Sequence, residues 1–362
     1  MVSKINMYTH LRIAVLGNIG KIISDSSFAG TEIWTYDFCS YLSSLGYDVT
    51  LFSNSESFIP GCKLVHETSM DIMNRNNYLD YYYENIKQVL NFIERQNEFD
   101  IVHVSLFTYE ILLSFIKYIR IPICVTVHSD YFSQNIFDQI NKSNKNIHFC
   151  FVSDNQRKSV NCLRGSVIYN GIDCSKYEKF LIKEVKEKNY LFWIGRICPD
   201  KGTLDAIKIA QKAQIKLILA GPVEDKSYFD SCIKPYLNDQ IKYEGVLNLK
   251  DKIFYYEHAL ATIMPIHWNE PFGLVNIESM YCGTPVISYN RGAQGEIIEH
   301  EKNGYLVQEN NISDFISCIE KVKNIDPLYC HEYVLKNFSL QKMVSKYLEI
   351  YSKLLEIKSC EI

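Results

Sequence analysis

Short apolar runs alternate with longer periodic segments along this chain, in two successive series, and that alternation restricts the fold more than any other feature of the sequence. Arg12 to Leu16, Asp48 to Ser53, Ile101 to Ser105, Ile121 to Val127, His148 to Ser153 and Val167 to Tyr169 read as buried strands. Glu32 to Leu45, Tyr82 to Arg95 and Tyr109 to Tyr118 read as helices between them. The second series runs through Tyr190 to Gly195, Lys216 to Ala220, Ile241 to Glu244, Ala261 to Ile266, Pro285 to Ser288 and Tyr305 to Val307. Strands that are apolar throughout and separated by helices build parallel sheets covered on both faces. The expected class is therefore α/β, with two Rossmann-like, doubly wound domains. A chain of 362 residues is also longer than one core usually organises.

The charged, strand-poor stretch Lys176 to Asn189 reads as the linker, which divides the chain into residues 1–175 and 186–339. A last helix, about Leu340 to Ile357 within residues 340–362, is amphipathic, with Met343, Tyr347, Ile350, Tyr351 and Leu354 on one face. Doubly wound sheets bind ligands beyond the carboxyl ends of their strands, so the chemistry is expected in a cleft where two such domains face one another.

Composition narrows the classes. An apolar content of 47% with 22% charged residues describes a globular protein with ample core. A net charge of -4 argues against a nucleic-acid partner, which would call for a basic excess. The 26 tyrosines and 19 phenylalanines are spread without a stacking-platform motif and read as core and interface residues. None of the 12 cysteines is spaced as C-x-x-C, and most fall inside apolar patterns, as Cys124, Cys150 and Cys282 do. Reduced, buried thiols in a cytoplasmic protein account for them better than disulfides or a metal site. The start M-V-S-K-I-N-M-Y-T-H lacks an apolar core of signal-peptide length, and no segment reaches about 18 uninterrupted apolar residues.

The most informative stretch for chemistry is N-E-P-F-G-L-V-N-I-E-S-M, in which Glu270 and Glu278 bracket a strand-to-helix turn. Pro271 and Gly273 make the turn, and the helix runs from about Leu274 to Cys282, where Gly283-Thr284-Pro285 stops it. The amides of Gly273, Leu274 and Val275 are left without intrahelical acceptors and point forward with the positive end of the helix dipole, which suits a phosphate. Carboxylates beside such amides are poor phosphate ligands but good acceptors for sugar hydroxyl groups. A diphosphate with sugar hydroxyl groups at each end is a nucleotide sugar. A lone glutamate on a helix of this kind is ordinarily a solvated side chain. The paired spacing around P-F-G-L is more specific.

That spacing, with the continuation C-G-T-P-V-I-S, resembles the Glu, seven residues, Glu signature of retaining glycosyltransferases of family 4, also called glycosyl transferases group 1. The string G-R-I-C-P-D-K-G after the strand Tyr190 to Ile194 would, taken alone, read as a basic loop capping a helix; beside the glutamate signature it looks like that family's phosphate clamp, with Gly195, Arg196 and Lys201. A guanidinium and an ammonium there would stabilise the charge that builds on a leaving diphosphate. The resemblance implies a GT-B architecture, two Rossmann-like domains facing across a cleft, the donor held mostly by the second and the acceptor by the first. It implies Glu270 on the donor sugar and Glu278 on the ribose, with Phe272, Gly273, Leu274 and Val275 lining the donor. Val246, after the strand Ile241 to Glu244, would pack on the nucleobase through backbone groups. A-G-T-E-I-W places Gly30 and Thr31 where the family brings a helix start to the donor phosphate; Ala29 stands where a first glycine is common, which puts the closeness of that approach in doubt. T-V-H matches a family histidine near the reacting sugar, giving His128 a positioning role, although a solitary histidine is more often a structural hydrogen bonder. His103 has a similar location. V-I-Y-N-G-I-D, with Asn170 and Gly171, matches the turn between domains.

The activity so implied is transfer of a sugar from a nucleotide diphosphate, UDP- or GDP-linked, to an acceptor hydroxyl with retained anomeric configuration. No resident cofactor or metal is expected, because cations and amides neutralise the leaving group. The acceptor, whether a glycan, a lipid-linked sugar or a small molecule, is not legible. A peripheral membrane contact stays open, although no strongly basic amphipathic helix is evident. A nucleotide-sugar epimerase on the same fold would need further acid and base groups, and a phosphorylase a much longer chain. A catalytically silent nucleotide-sugar-binding scaffold would have no reason to keep Arg196, Lys201, Glu270 and Glu278 together.

Overall fold

The structure, a computed structural model, describes residues 11–66, 78–106, 109–130, 133–143, 146–179 and 188–360. It divides into two compact units, one of residues 1–170 with 340–362 and one of Gly171–Ser339. The first ten residues, read above for a leader, and residues 180–187 of the stretch read as a linker lie outside the described residues.

The first unit is a seven-stranded sheet of β1 (Arg12–Leu16), β2 (Asp48–Phe52), β3 (Lys63–Val65), β4 (Ile101–Val104), β5 (Ile123–Val127), β6 (Ile147–Phe151) and β7 (Gly165–Val167), in the order β3-β2-β1-β4-β5-β6-β7. Every pairing is parallel. The second is six-stranded, β8 (Tyr190–Ile194), β9 (Lys216–Ala220), β10 (Ile241–Tyr243), β11 (Ala259–Met264), β12 (Val286–Tyr289) and β13 (Gly304–Val307), in the order β10-β9-β8-β11-β12-β13 and again parallel. Central strands such as β5 and β11 are buried along their whole length, which is why they read as continuous apolar runs. Strand order reverses between β1 and β4 in the first sheet and between β8 and β11 in the second. At such a reversal the following loops diverge to opposite faces and leave a crevice at the carboxyl edge.

Two readings are corrected. Lys63–Val65 forms an edge strand that three residues of mixed polarity did not announce. The division between units falls at Asn170 and Gly171, the turn to which V-I-Y-N-G-I-D was matched, whereas the stretch read as the linker begins inside the helix Cys174–Glu178 of the second unit. Tyr177 explains the shift: its ring is buried and its hydroxyl donates to Glu278 at 2.9 Å.

The last helix, Leu340–Cys360, belongs to the first unit. Met343, Tyr347, Ile350, Tyr351 and Leu354 are buried in one cluster with Trp34, Phe38 and Cys39 of the helix Gly30–Ser44. Each such side chain contributes roughly 1.5–3 kcal/mol by leaving water. Polar contacts set the register. His103, fully buried in mid-strand and not at the sheet's edge, meets Tyr351 Oη through Nδ1 at 2.6 Å and Thr126 Oγ1 through Nε2 at 2.9 Å. Thr126 donates to Tyr347 Oη at 2.9 Å, so its oxygen accepts from His103 Nε2, and Tyr351 donates to Nδ1. His103 is thus a structural tie between β4, β5 and the last helix.

Burial pushes the His103 imidazole down from 6.5 to about 3. Between those values the folded unit binds fewer protons than the unfolded chain, so its stability falls as pH drops from about 6.5 toward 3. The urea midpoint of the first unit is expected to fall across that window, and His103→Asn to flatten the fall. A pH dependence identical in the two proteins would contradict the assignment.

Candidate functional site

In the second unit the loops after β8 and β11 are locked together at the point where strand order reverses. Gly202 has φ 71, and a Cβ there would overlap the Pro265 carbonyl oxygen, so only glycine lets the two backbones come this close. The His267 amide donates to Asp200 O at 2.8 Å, and buried Trp193 donates through Nε1 to Lys201 O at 3.3 Å. With both backbones held, Lys201 Nζ reaches Glu270 Oε2 at 2.6 Å and lies 4.4 Å from the centroid of the Trp268 ring. Trp268 Nε1 also donates to Glu270 Oε2, at 2.8 Å. Lys201 and Glu270 are each 13% exposed. Glu270 Oε1 accepts no hydrogen bond among the described residues, and two of the three ammonium protons of Lys201 have no acceptor there. The main chain of Glu270 is itself held, its carbonyl accepting from Ala293 N at 2.9 Å.

Four residues after Glu270, the helix Leu274–Tyr281 begins from Gly273 at φ 95, ψ 71, a conformation favourable only to glycine. The amides of Leu274 and Val275, at its first two positions, have no intrahelical acceptor, and both residues are half-buried. Beneath the turn, Asn276 Nδ2 donates to Gln294 Oε1 at 2.8 Å, and both side chains are fully buried. The turn is held in its left-handed shape from below.

The structure therefore brings together Lys201, Glu270 and the start of this helix. Arg196 is placed in the same loop, but its guanidinium pairs with Glu224. That arrangement follows from a short extended pairing of the loops after β8 and β9, in which Ile197 N donates to Pro222 O at 2.8 Å. Gly195 donates to Ala220 O at 3.1 Å at the root of that loop. The side chain of Phe272 is buried, with its ring 5.8 Å from Phe338, so the residue borders the turn through its backbone. Val246 is 54% exposed, beside a hollow of about 480 Å³ lined by Glu244, Leu247, Asp251, Phe254 and Tyr255.

Glu278 is 4% exposed, and its oxygens are already occupied. Oε1 accepts from Tyr177 Oη at 2.9 Å and Lys252 Nζ at 2.7 Å, and Oε2 from Tyr256 Oη at 3.0 Å. Burial with Glu278 close by drives both phenols well above their ordinary range, so they stay neutral donors. A ribose at Glu278 would take up the remaining lone pair or replace one donor. Sequence reasoning missed Lys252 and Tyr256 although their i, i+4 spacing puts them on one face of the helix Leu249–His258. It also missed Trp268, an aromatic residue two positions before Glu270. For Tyr177, 101 residues away, no local signal exists.

In the first unit, Gly30 and Thr31 open the helix Gly30–Ser44 after Ala29, whose side chain provides no cap. His128 follows β5, half-buried, with Nε2 3.0 Å from Ser105 Oγ. Among the described residues, no group of three or more His, Cys, Asp or Glu is placed to share an ion, and no helix is long and apolar enough to cross a membrane.

Known proteins similar to this chain are glycosyltransferases. Residues 176–333 match the family described as glycosyl transferases group 1, and residues 28–176 that described as glycosyltransferase family 4. An uncharacterized glycosyltransferase of Methanocaldococcus jannaschii, MJ1607, is 28% identical over 47% of this chain, and the match spans only about half of that relative, 47% of its length. The putative glycosyltransferase YtcC of Bacillus subtilis is 26% identical over 76% of this chain and 74% of its own. Among solved structures, Alr3699/HepE of Anabaena in complex with UDP-glucose superposes with a TM-score of 0.71 at 18% identity, covering 97% of this chain and 100% of its own.

The Glu278 cluster yields a stability prediction. Glu278→Gln leaves the Lys252 ammonium, 13% exposed, without its counter-charge and should destabilise the second unit by about 3 kcal/mol. Adding Lys252→Met should recover much of that loss. Urea unfolding of the single and double variants tests the pair, and an unchanged midpoint in Glu278→Gln would contradict the buried ion pair.

Proposed function

Because the chain belongs to the group 1 glycosyltransferases of family 4, which have the GT-B arrangement of two Rossmann-like domains, we propose that it is a retaining enzyme using a nucleoside diphosphate sugar without a metal. The observation that carries this reading is the Lys201–Glu270 contact at 2.6 Å, at the strand reversal of the second sheet and just ahead of the Gly273 helix start. The diphosphate rests on the amides of Leu274 and Val275, with the free protons of Lys201 and, once it turns from Glu224, Arg196 as counter-charges. Glu270 Oε1 accepts a hydroxyl of the donor sugar. Glu278 faces the ribose, and the backbone at Val246 the base.

In the reaction the bond from the anomeric carbon to the phosphate oxygen breaks and a bond to the acceptor oxygen forms on the same face. The acceptor proton passes to the leaving phosphate, and the nucleoside diphosphate departs. Charge on that leaving group rises toward the transition state, so cations at its oxygens lower the barrier more than they tighten ground-state binding. The Lys201 ammonium, with the Arg196 guanidinium once it has turned, supplies the charge that a divalent ion supplies elsewhere. The donor is UDP- or GDP-linked, and the uridine choice has the support of HepE, described in complex with UDP-glucose. The acceptor is a glycan, a lipid-linked sugar or a small molecule, met through the first unit, in a cytoplasmic route of glycan or polysaccharide assembly.

Lys201→Ala is expected to lower kcat roughly 100-fold or more with a smaller change in donor KM. Equal losses confined to KM would remove Lys201 from the transition state. With an α-linked donor the product should show the α-anomeric proton coupling by NMR, and a β-linked product would overturn retention.

A further inference from the structure

The first unit contains a chain of hydroxyl groups whose protons can be counted. Thr35 Oγ1 donates to Thr31 O at 2.8 Å, back along its own helical turn. A carbonyl only accepts, so the one hydroxyl proton of Thr35 is committed. Ser105 Oγ lies 2.8 Å from Thr35 Oγ1 and must therefore be the donor in that contact. Its own proton is then spent. The 3.0 Å contact between Ser105 Oγ and His128 Nε2 closes only if Nε2 carries a hydrogen. The ring stands edge-on to Trp34 with centroids 4.8 Å apart, and burial holds it down to about 3, so it carries no second proton at neutral pH. Nδ1 is left with a lone pair and no hydrogen-bond partner among the described residues. His128 follows β5 and Ser105 follows β4, so both sit on the carboxyl edge of the sheet.

We infer that Thr35 and Ser105 are positioning residues that hold His128 as the neutral Nε2–H tautomer, so that Nδ1 accepts a hydroxyl group of the sugar substrate. Acceptance of the sugar hydroxyl rests on the proposed transfer reaction; the tautomer does not. A histidine locked in this way cannot offer Nδ1–H to a phosphate.

Nitrogen-15 NMR of the full chain labelled at histidine, with the His128 signals identified by their loss in His128→Gln, reads the tautomer directly. The wild type should show protonated Nε2 and bare Nδ1, unchanged from pH 8 to pH 5. Thr35→Val keeps the volume of the side chain but frees the Ser105 proton to donate to Nε2. It should raise the Nδ1–H population at least two-fold, as should Ser105→Ala, while Thr35→Ser keeps the wild-type pattern. In a transfer assay Thr35→Val should lower kcat about tenfold, the equivalent of one hydrogen bond, with Thr35→Ser restoring it. A cationic or Nδ1–H ring in the wild type, or identical populations in all variants, overturns the inference. Absence of transfer with every nucleotide sugar, alongside the expected NMR pattern, would instead overturn the proposed reaction and leave the tautomer lock standing.

Discussion

Everything at the carboxyl edge of the second sheet follows from how closely the loops after β8 and β11 approach. The approach needs a residue without a Cβ at Gly202, and it is sealed by the His267 amide on Asp200 O. Once the backbones are in register, a lysine from one loop and a glutamate from the other meet as a pair that is mostly shielded from water. Such a pair gains strength from the low local dielectric, and the Trp268 ring completes its environment on one side. The protein's own backbone contacts hold the pair in place, as the proposed action on developing charge requires.

The two glutamates of the motif differ in what surrounds them. Glu270 has one oxygen engaged by Lys201 and Trp268 and the other open, as suits a group that reads a ligand hydroxyl. Glu278 is enclosed by two phenols and an ammonium that also join three separate segments of the second unit. It therefore stabilises the unit whatever it does for a ligand, and the effect of its substitution on the proposed ribose contact is mixed with loss of fold. Kinetic results at Glu278 are best interpreted with a stability measurement beside them.

The parallel sheets were legible because their strands are buried on both faces, so hydrophobicity alone marks them; β1 and β9 match the sequence reading residue for residue. β3 was not, since an edge strand with an exposed lysine carries no such signature. Lys201 and Glu270 were legible as residue types in glycine-bearing loops that follow apolar strands. Their partners were less so. Trp268 acts through its ring face and indole N–H, Tyr177 comes from a stretch whose charge resembles a linker, and the pairing of Arg196 with Glu224 depends on a loop-to-loop register. The packing of Phe272 against Phe338 was not legible either, since an aromatic residue in such a turn is as apt to anchor the turn as to border a ligand.

Binding of a nucleoside diphosphate to the second unit is the claim from which the chemistry proceeds. Calorimetry of UDP and of GDP with the full chain in excess chelator tests it most directly. The account predicts that one of them binds without any divalent ion, and that Lys201→Ala weakens it about tenfold, as loss of one charge-assisted contact does. Binding of neither, or binding that appears only when magnesium or manganese is restored, would contradict it.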